Sequence, residues 1–166
     1  MNVLNDMEEF QLVVFSVGGN DFGIHISVVR EIIAPSKFVS LPNMPPSMVG
    51  IINVRGTVLP IVDLKNRFGM GNYLSVDSTN QRILLVEMEG SMVGFLVDTV
   101  SEVLRVSRNS LEQVERIQGI NLNLVDYICN LGERLIPVVD VTKLMTNQEI
   151  QQLEVATKEG TVCSEI

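Results

Sequence analysis

Two aspartates are the first residues in this chain that could do chemistry. Asp63 lies near the end of "NVRGTVLPIVDL" (Asn53 to Leu64), and Asp140 near the end of a near-echo, "NLGERLIPVVDV" (Asn130 to Val141). Each follows an apolar, strand-like run that contains a proline. Two carboxylates after matching strands could work as a general acid–base pair. The same position also suits a helix N-cap. "LKNRFG" follows Asp63, with Leu64 and Phe68 on one helical face and Gly69 where a C-terminal glycine cap belongs, and "VTKLM" follows Asp140. An N-cap aspartate accepts hydrogen bonds from the orphan amides of the first turn. Acid–base work would also need a cleft of other perturbed groups, which the motif does not supply. Capping is therefore the expected role of Asp63 and Asp140.

The other chemically capable residues stand alone. His25, the single histidine, lies between Ile24 and Ile26 and has neither a partner base nor metal-ligand spacing, so it reads as an ordinary surface or boundary residue. Cys129 sits in an apolar run and Cys163 near the end of the chain, which is neither a disulfide framework nor a metal site. "SVGGND" lacks the GxGxxG and Walker patterns of a phosphate cradle. No catalytic residue, metal or cofactor is expected. Met44 and Met48 flank a proline-rich stretch that could serve a binding surface. Arg55 occupies a hairpin corner before Gly56; it reads either as a solvated turn residue or as half of an ion pair, for which Glu31 is the obvious candidate.

These residues are positioned by an internal repeat. Gly94 lies 71 residues after Gly23, as do Val100 after Val29 and Glu102 after Glu31. Pro137 lies 77 residues after Pro60, as does Asp140 after Asp63. Two copies are too few for a solenoid, so the repeat implies a duplicated small fold. Each half opens with a β-branched run, "FQLVVFSV" or "RILLVEM", then a turn, then a second strand, "DFGIHI" or "MVGFLV". One helical turn is expected over 27–33, ended by Pro35, with a counterpart over 98–103. "LPNMPPS" reads as an extended loop, and strands 49–54 and 57–62 as a hairpin around Arg55-Gly56. Short strands with turns every eight to twelve residues imply small barrels of five strands each. The expected divisions are a flexible 1–8, repeats over 9–78 and 79–147, a C-terminal helix over 148–157 and a tail over 158–166. Thr146 and Glu149 stand at capping-box spacing for that helix.

Composition limits the partners. Twelve basic residues against twenty acidic ones give a net charge of −8, which disfavours nucleic acid and anionic membrane surfaces. The first residues, "MNVLNDMEEF", lack the basic and apolar regions of a signal peptide, and no apolar run could span a bilayer. A cytoplasmic address without direct membrane insertion is expected.

The run "LPNMPPSMVGIINVRGTVLPIVDLKNRFG" closely resembles the signature of the chemotaxis coupling protein CheW family. Pro42, Asn43, Pro45, Gly50, Asn53, Arg55, Gly56, Pro60, Asp63 and Leu64 match it position by position, within a resemblance covering roughly Glu9 to Leu153. It implies a mainly β fold of two intertwined, pseudo-symmetric SH3-like barrels with short helices. It also implies a non-catalytic cytoplasmic adaptor, recruited to membrane-associated receptor arrays. Its partners would be the cytoplasmic tip of a methyl-accepting chemoreceptor and the regulatory domain of a CheA-type histidine kinase. Carried over by motif, the receptor side comprises Val29, Glu31, Gly50, Arg55 and Gly56, and the kinase side Gly94, Leu131 and Gly132. A scaffold of a non-flagellar array, such as one for twitching motility, fits the same motif. A small enzyme using Asp63 and Asp140 is the remaining alternative.

Overall fold

The computed structural model describes residues 9–35, 38–45, 47–70, 80–88, 90–113 and 124–144. The expected C-terminal helix, Cys163 and both termini lie outside these residues. Eleven strands are described, beginning with β1 (Glu9–Val17), β2 (Asn20–His25), β3 (Val29–Ile33), β4 (Met48–Val54) and β5 (Thr57–Asp63). After the short helix α1 (Leu64–Arg67) come β6 (Arg82–Met88), β7 (Ser91–Val97), β8 (Thr99–Ser107), β9 (Leu111–Gln113), β10 (Val125–Asn130) and β11 (Leu135–Val139).

The strands form two sheets, ordered β8-β1-β2-β11-β10-β9 and β3-β6-β7-β5-β4. One sheet thus has six strands and the other five, where five were expected in each. The opening hairpin of each half joins the body of the other half: β1–β2 sits with β8 to β11, and β6–β7 with β3 to β5. This exchange is the intertwining of the SH3-like barrels. Two of its four seams are parallel pairings, Val138 with Gly23 and Ile61 with Gly94, and the other two are the antiparallel pairs β1–β8 and β3–β6. The two glycines stand 71 apart and their partners, Ile61 and Val138, 77 apart, so the two parallel seams are related by both intervals of the repeat.

The exchange explains why β1 and β6 read as continuous apolar runs rather than alternating ones. Both of their faces are buried. Val13, Phe15 and Val17 of β1, with Leu84, Val86 and Met88 of β6, face a core shared by the two sheets. Leu12 and Val14 face a second core inside the six-stranded sheet, and Ile83 and Leu85 a third inside the five-stranded one. Side chains of adjacent residues point to opposite faces, so one strand feeds two cores.

The structure corrects one expectation about local structure. The segment 27–33 is not a helical turn. Only Ile26–Val28 forms a 3-10 turn, and Val29–Ile33 is an edge strand paired with β6. Its counterpart over 98–103 is likewise the start of β8, paired with β1. Val28, Val29, Ile32 and Ile33 are β-branched and lose little in an extended ladder. Val29 to Ile33 alternate half-buried and exposed, with Ile32 outward and 39% exposed.

Candidate functional site

The hairpin turn between β4 and β5 consists of Arg55 and Gly56. Both have positive φ, 51° and 86°, as a type I′ turn requires, and Asn53 Oδ1 accepts a hydrogen bond from Gly56 N at 2.9 Å. Asn-Gly is the favoured pair for such a turn, so an arginine with positive φ is unusual. Its side chain accounts for its presence. Arg55 Nη1 donates to Glu31 Oε1 at 2.9 Å, and Nη2 donates to the other carboxylate oxygen. The fork joins the turn to edge strand β3, and its hydrogen bonds hold the Glu31 carboxyl below the usual carboxylate range. The Arg55 and Glu31 side chains are 71% and 34% exposed, so the pair orients a surface rather than anchoring the core.

Gly50 and Val29 shape the ground beside this pair. Gly50 is buried in β4, and a Cβ there would lie 2.3 Å from the carbonyl oxygen of Val39. Only glycine lets the strand receive the Val39 bridge, in which Val39 N donates to Ile51 O and Ile51 N to Val39 O. Val29 is half-buried and packs against the shared core. Ile32, Val39 and Val58 are exposed on the same sheet and its bridge. The structure thus joins Glu31 to Arg55 directly, while Val29 and Gly50 lie in the strands on either side of that link.

The second half holds a comparable constellation that sequence reasoning missed. Glu102, which occupies the repeat position of Glu31, pairs with Arg134 Nη1 at 3.0 Å, and Arg134 Nη2 donates to Asp21 at 3.1 Å. Gly132 takes the place of Arg55, and the arginine comes from two positions further on. The repeat pointed to Glu102; the shift in register hid its partner. Leu131 and Gly132 lie in the β10–β11 turn, exposed as a contact surface requires. Gly94 does not join them. It is buried in β7, where a Cβ would sit 2.8 Å from Ile83 Cγ2. Its missing side chain makes room for Ile83 of β6, so Gly94 is withdrawn from the kinase-side set.

Both aspartates cap turns. Asp63 Oδ1 accepts from Asn66 N at 3.2 Å at the start of α1, and Asp140 Oδ1 accepts from Thr142 N at 2.9 Å at a 3-10 turn, Val141–Lys143. Past α1, Gly69 N donates to Asn66 O and Met70 N to Lys65 O, the Schellman arrangement around a glycine with φ of 74°. Each carboxylate is thus engaged by a backbone amide of its own turn. His25 also caps: its Nδ1 accepts from Ser27 N at 3.1 Å, and its ring stacks on Phe10 with centroids 5.6 Å apart. It lines a cleft of about 210 Å³ with Asp126, Tyr127 and Asp140. Burial pushes its pKa below the ordinary value. Cys129 is fully buried, and burial raises its thiol pKa, which makes it a core residue rather than a nucleophile. No described helix is long and apolar enough to cross a membrane.

Comparison with known proteins places this geometry. The family model for the CheW-like domain matches residues 11–149. Chemotaxis protein CheW of Treponema pallidum is 30% identical over 153 residues, spanning 90% of this chain and 89% of that protein. The crystal structure of scaffolding protein TtCheW from Thermoanaerobacter tengcongensis superposes with a TM-score of 0.76 at 31% identity, covering 84% of this chain and 94% of that one. Protein PilI of Pseudomonas aeruginosa is 34% identical over 86 residues, 52% of this chain and 47% of that protein. Since the family match runs through both halves and both Glu–Arg pairs, the chain belongs to the CheW-like domain family.

Proposed function

We propose that this chain is a non-catalytic chemotaxis adaptor that couples the cytoplasmic tip of a methyl-accepting chemoreceptor to the regulatory domain of a CheA-type histidine kinase. The observation that carries the reading is the duplication of an exposed Glu–Arg pair, once on each sheet, within one family match. An adaptor needs two surfaces that do not overlap, and the exchanged fold supplies two of similar build. The receptor surface is the β3 and β4–β5 region around Val29, Glu31, Gly50, Arg55 and Gly56. The kinase surface is the β10–β11 turn with Leu131 and Gly132. The protein acts in the cytoplasm, at membrane-associated receptor arrays. The aspartate-dependent enzyme is set aside, because Asp63 and Asp140 are committed to capping.

Isothermal calorimetry with each partner alone, then with both together, tests the reading. Binding to each partner and formation of a ternary complex are expected. Competition between kinase and receptor for one site would overturn it. The partial match to Protein PilI favours a second reading, a scaffold of a non-flagellar array such as one for twitching motility. Identifying the kinase captured by affinity pull-down separates the two.

A further inference from the structure

Arg134 reaches two carboxylates from distant parts of the chain. Asp21 belongs to the exchanged hairpin β1–β2, and Glu102 to edge strand β8. The turn that carries Arg134 is closed by its own polar bonds. Leu131 N donates to the Arg134 carbonyl at 2.9 Å, and Gly132 N donates to Asn130 Oδ1 at 2.9 Å. Asn130 Nδ2 in turn donates to Glu112 Oε1 on β9 at 3.0 Å. On this frame Leu131 and Leu135 stand outward, 40% and 60% exposed.

A lone exposed ion pair contributes little to stability, but a guanidinium whose two nitrogens hold different carboxylates is fixed in its rotamer. The backbone that carries it is fixed with it. We propose that Arg134 is a positioning residue: by tying the β10–β11 turn to β2 and β8, it sets how Leu131, Gly132 and Leu135 are presented to the kinase regulatory domain. The proposal rests on the assignment of this turn to the kinase. It adds to that assignment Arg134 and its anchors Asp21 and Glu102, on strands remote in sequence.

The test compares wild type, Arg134→Gln and Arg134→Lys by calorimetry against the kinase regulatory domain and, separately, the receptor tip. Amide hydrogen exchange is followed at Leu131 and Gly132. Arg134→Gln is expected to weaken kinase binding about tenfold and leave receptor binding within about threefold. It should also speed exchange of both amides. Lysine, a point charge that satisfies one carboxylate at a time, should recover part of each effect. Wild-type kinase affinity in a folded Arg134→Gln protein overturns the positioning role and leaves the kinase assignment standing. Unchanged exchange at Leu131 and Gly132 also overturns it. Failure of the wild type to bind the kinase domain overturns the assignment itself.

Discussion

Arg67 donates its Nε–H to the carbonyl oxygen of Leu144 at 2.8 Å, and the two residues stand 77 apart, the interval that also separates Asp63 from Asp140. Equivalent residues of the two halves therefore touch. This brings the two capped turns together where the halves meet. Leu64 and Leu144 enter the shared core beneath them. The aspartates thus cap the two turns that carry this contact.

Asp63→Ala should accordingly lower unfolding free energy by about 1–2 kcal/mol, and Asp63→Asn by less, because asparagine also caps. Urea denaturation measures both. Partner binding should survive in the folded variants at low temperature. Loss of coupling by fully folded Asp63→Asn would count against a purely capping role.

Reversing one charge of the Glu31–Arg55 pair should impair binding at that surface, and reversing both should restore part of it. Glu31→Arg and Arg55→Glu place like charges side by side, whereas the double swap rebuilds an attractive pair. A double-mutant cycle on receptor affinity reads the coupling directly. Strictly additive losses would mean that the contact has no functional weight.

Val29→Lys should weaken receptor binding while kinase affinity stays within about threefold of wild type. A charge there would be carried into a desolvated contact beside the core. Val29 also packs on that core, so circular dichroism must first establish that the variant is folded. Equal loss toward both partners in a folded variant argues that the surfaces are not separate.

Gly94→Ala should destabilise the protein by about 1–3 kcal/mol, because the new methyl group meets Ile83 where β5 and β7 pair in parallel. Any loss of kinase binding should then track the unfolded fraction. A fully stable Gly94→Ala protein that fails to bind kinase would return Gly94 to the contact surface.

His25 sets a pH dependence with a definite sign. Its folded pKa lies below the ordinary value of 6.5, so the unfolded chain binds the proton more readily. The stability it contributes is present above pH 6.5 and is lost as pH falls through the folded value. Protonating Nδ1 would also remove the acceptor for Ser27 N. Asp126, Tyr127 and Asp140 share the cleft, and Lys143 occupies Asp126 at 2.8 Å. The stability of wild type relative to His25→Asn should therefore fall below pH 6.5. The resonances of the single histidine report its titration without overlap. A relative stability that is flat or rises on acidification overturns this account.

What the sequence determined was local or repeated. Arg55-Gly56 specified a hairpin, Asp63 and Gly69 bracketed a short helix, and paired intervals announced a duplicated β fold. Each of these signals acts over a few residues through backbone conformation, so it is legible in one dimension. The segment Val29 to Ile33 was not. Its apolar spacing suits a helical face as well as a strand, and only the ladder offered by β6 chose between them. Gly94 posed a similar problem, since a glycine reads alike in a surface turn and in a seam. Ile83 and Ile61, on strands from different halves, made it a seam. Arg134 depended most on tertiary structure. Its two carboxylates come from β2 and β8, and no spacing rule connects them to it. A long side chain finds its partners through space, and the exchange of hairpins determined which residues were within reach.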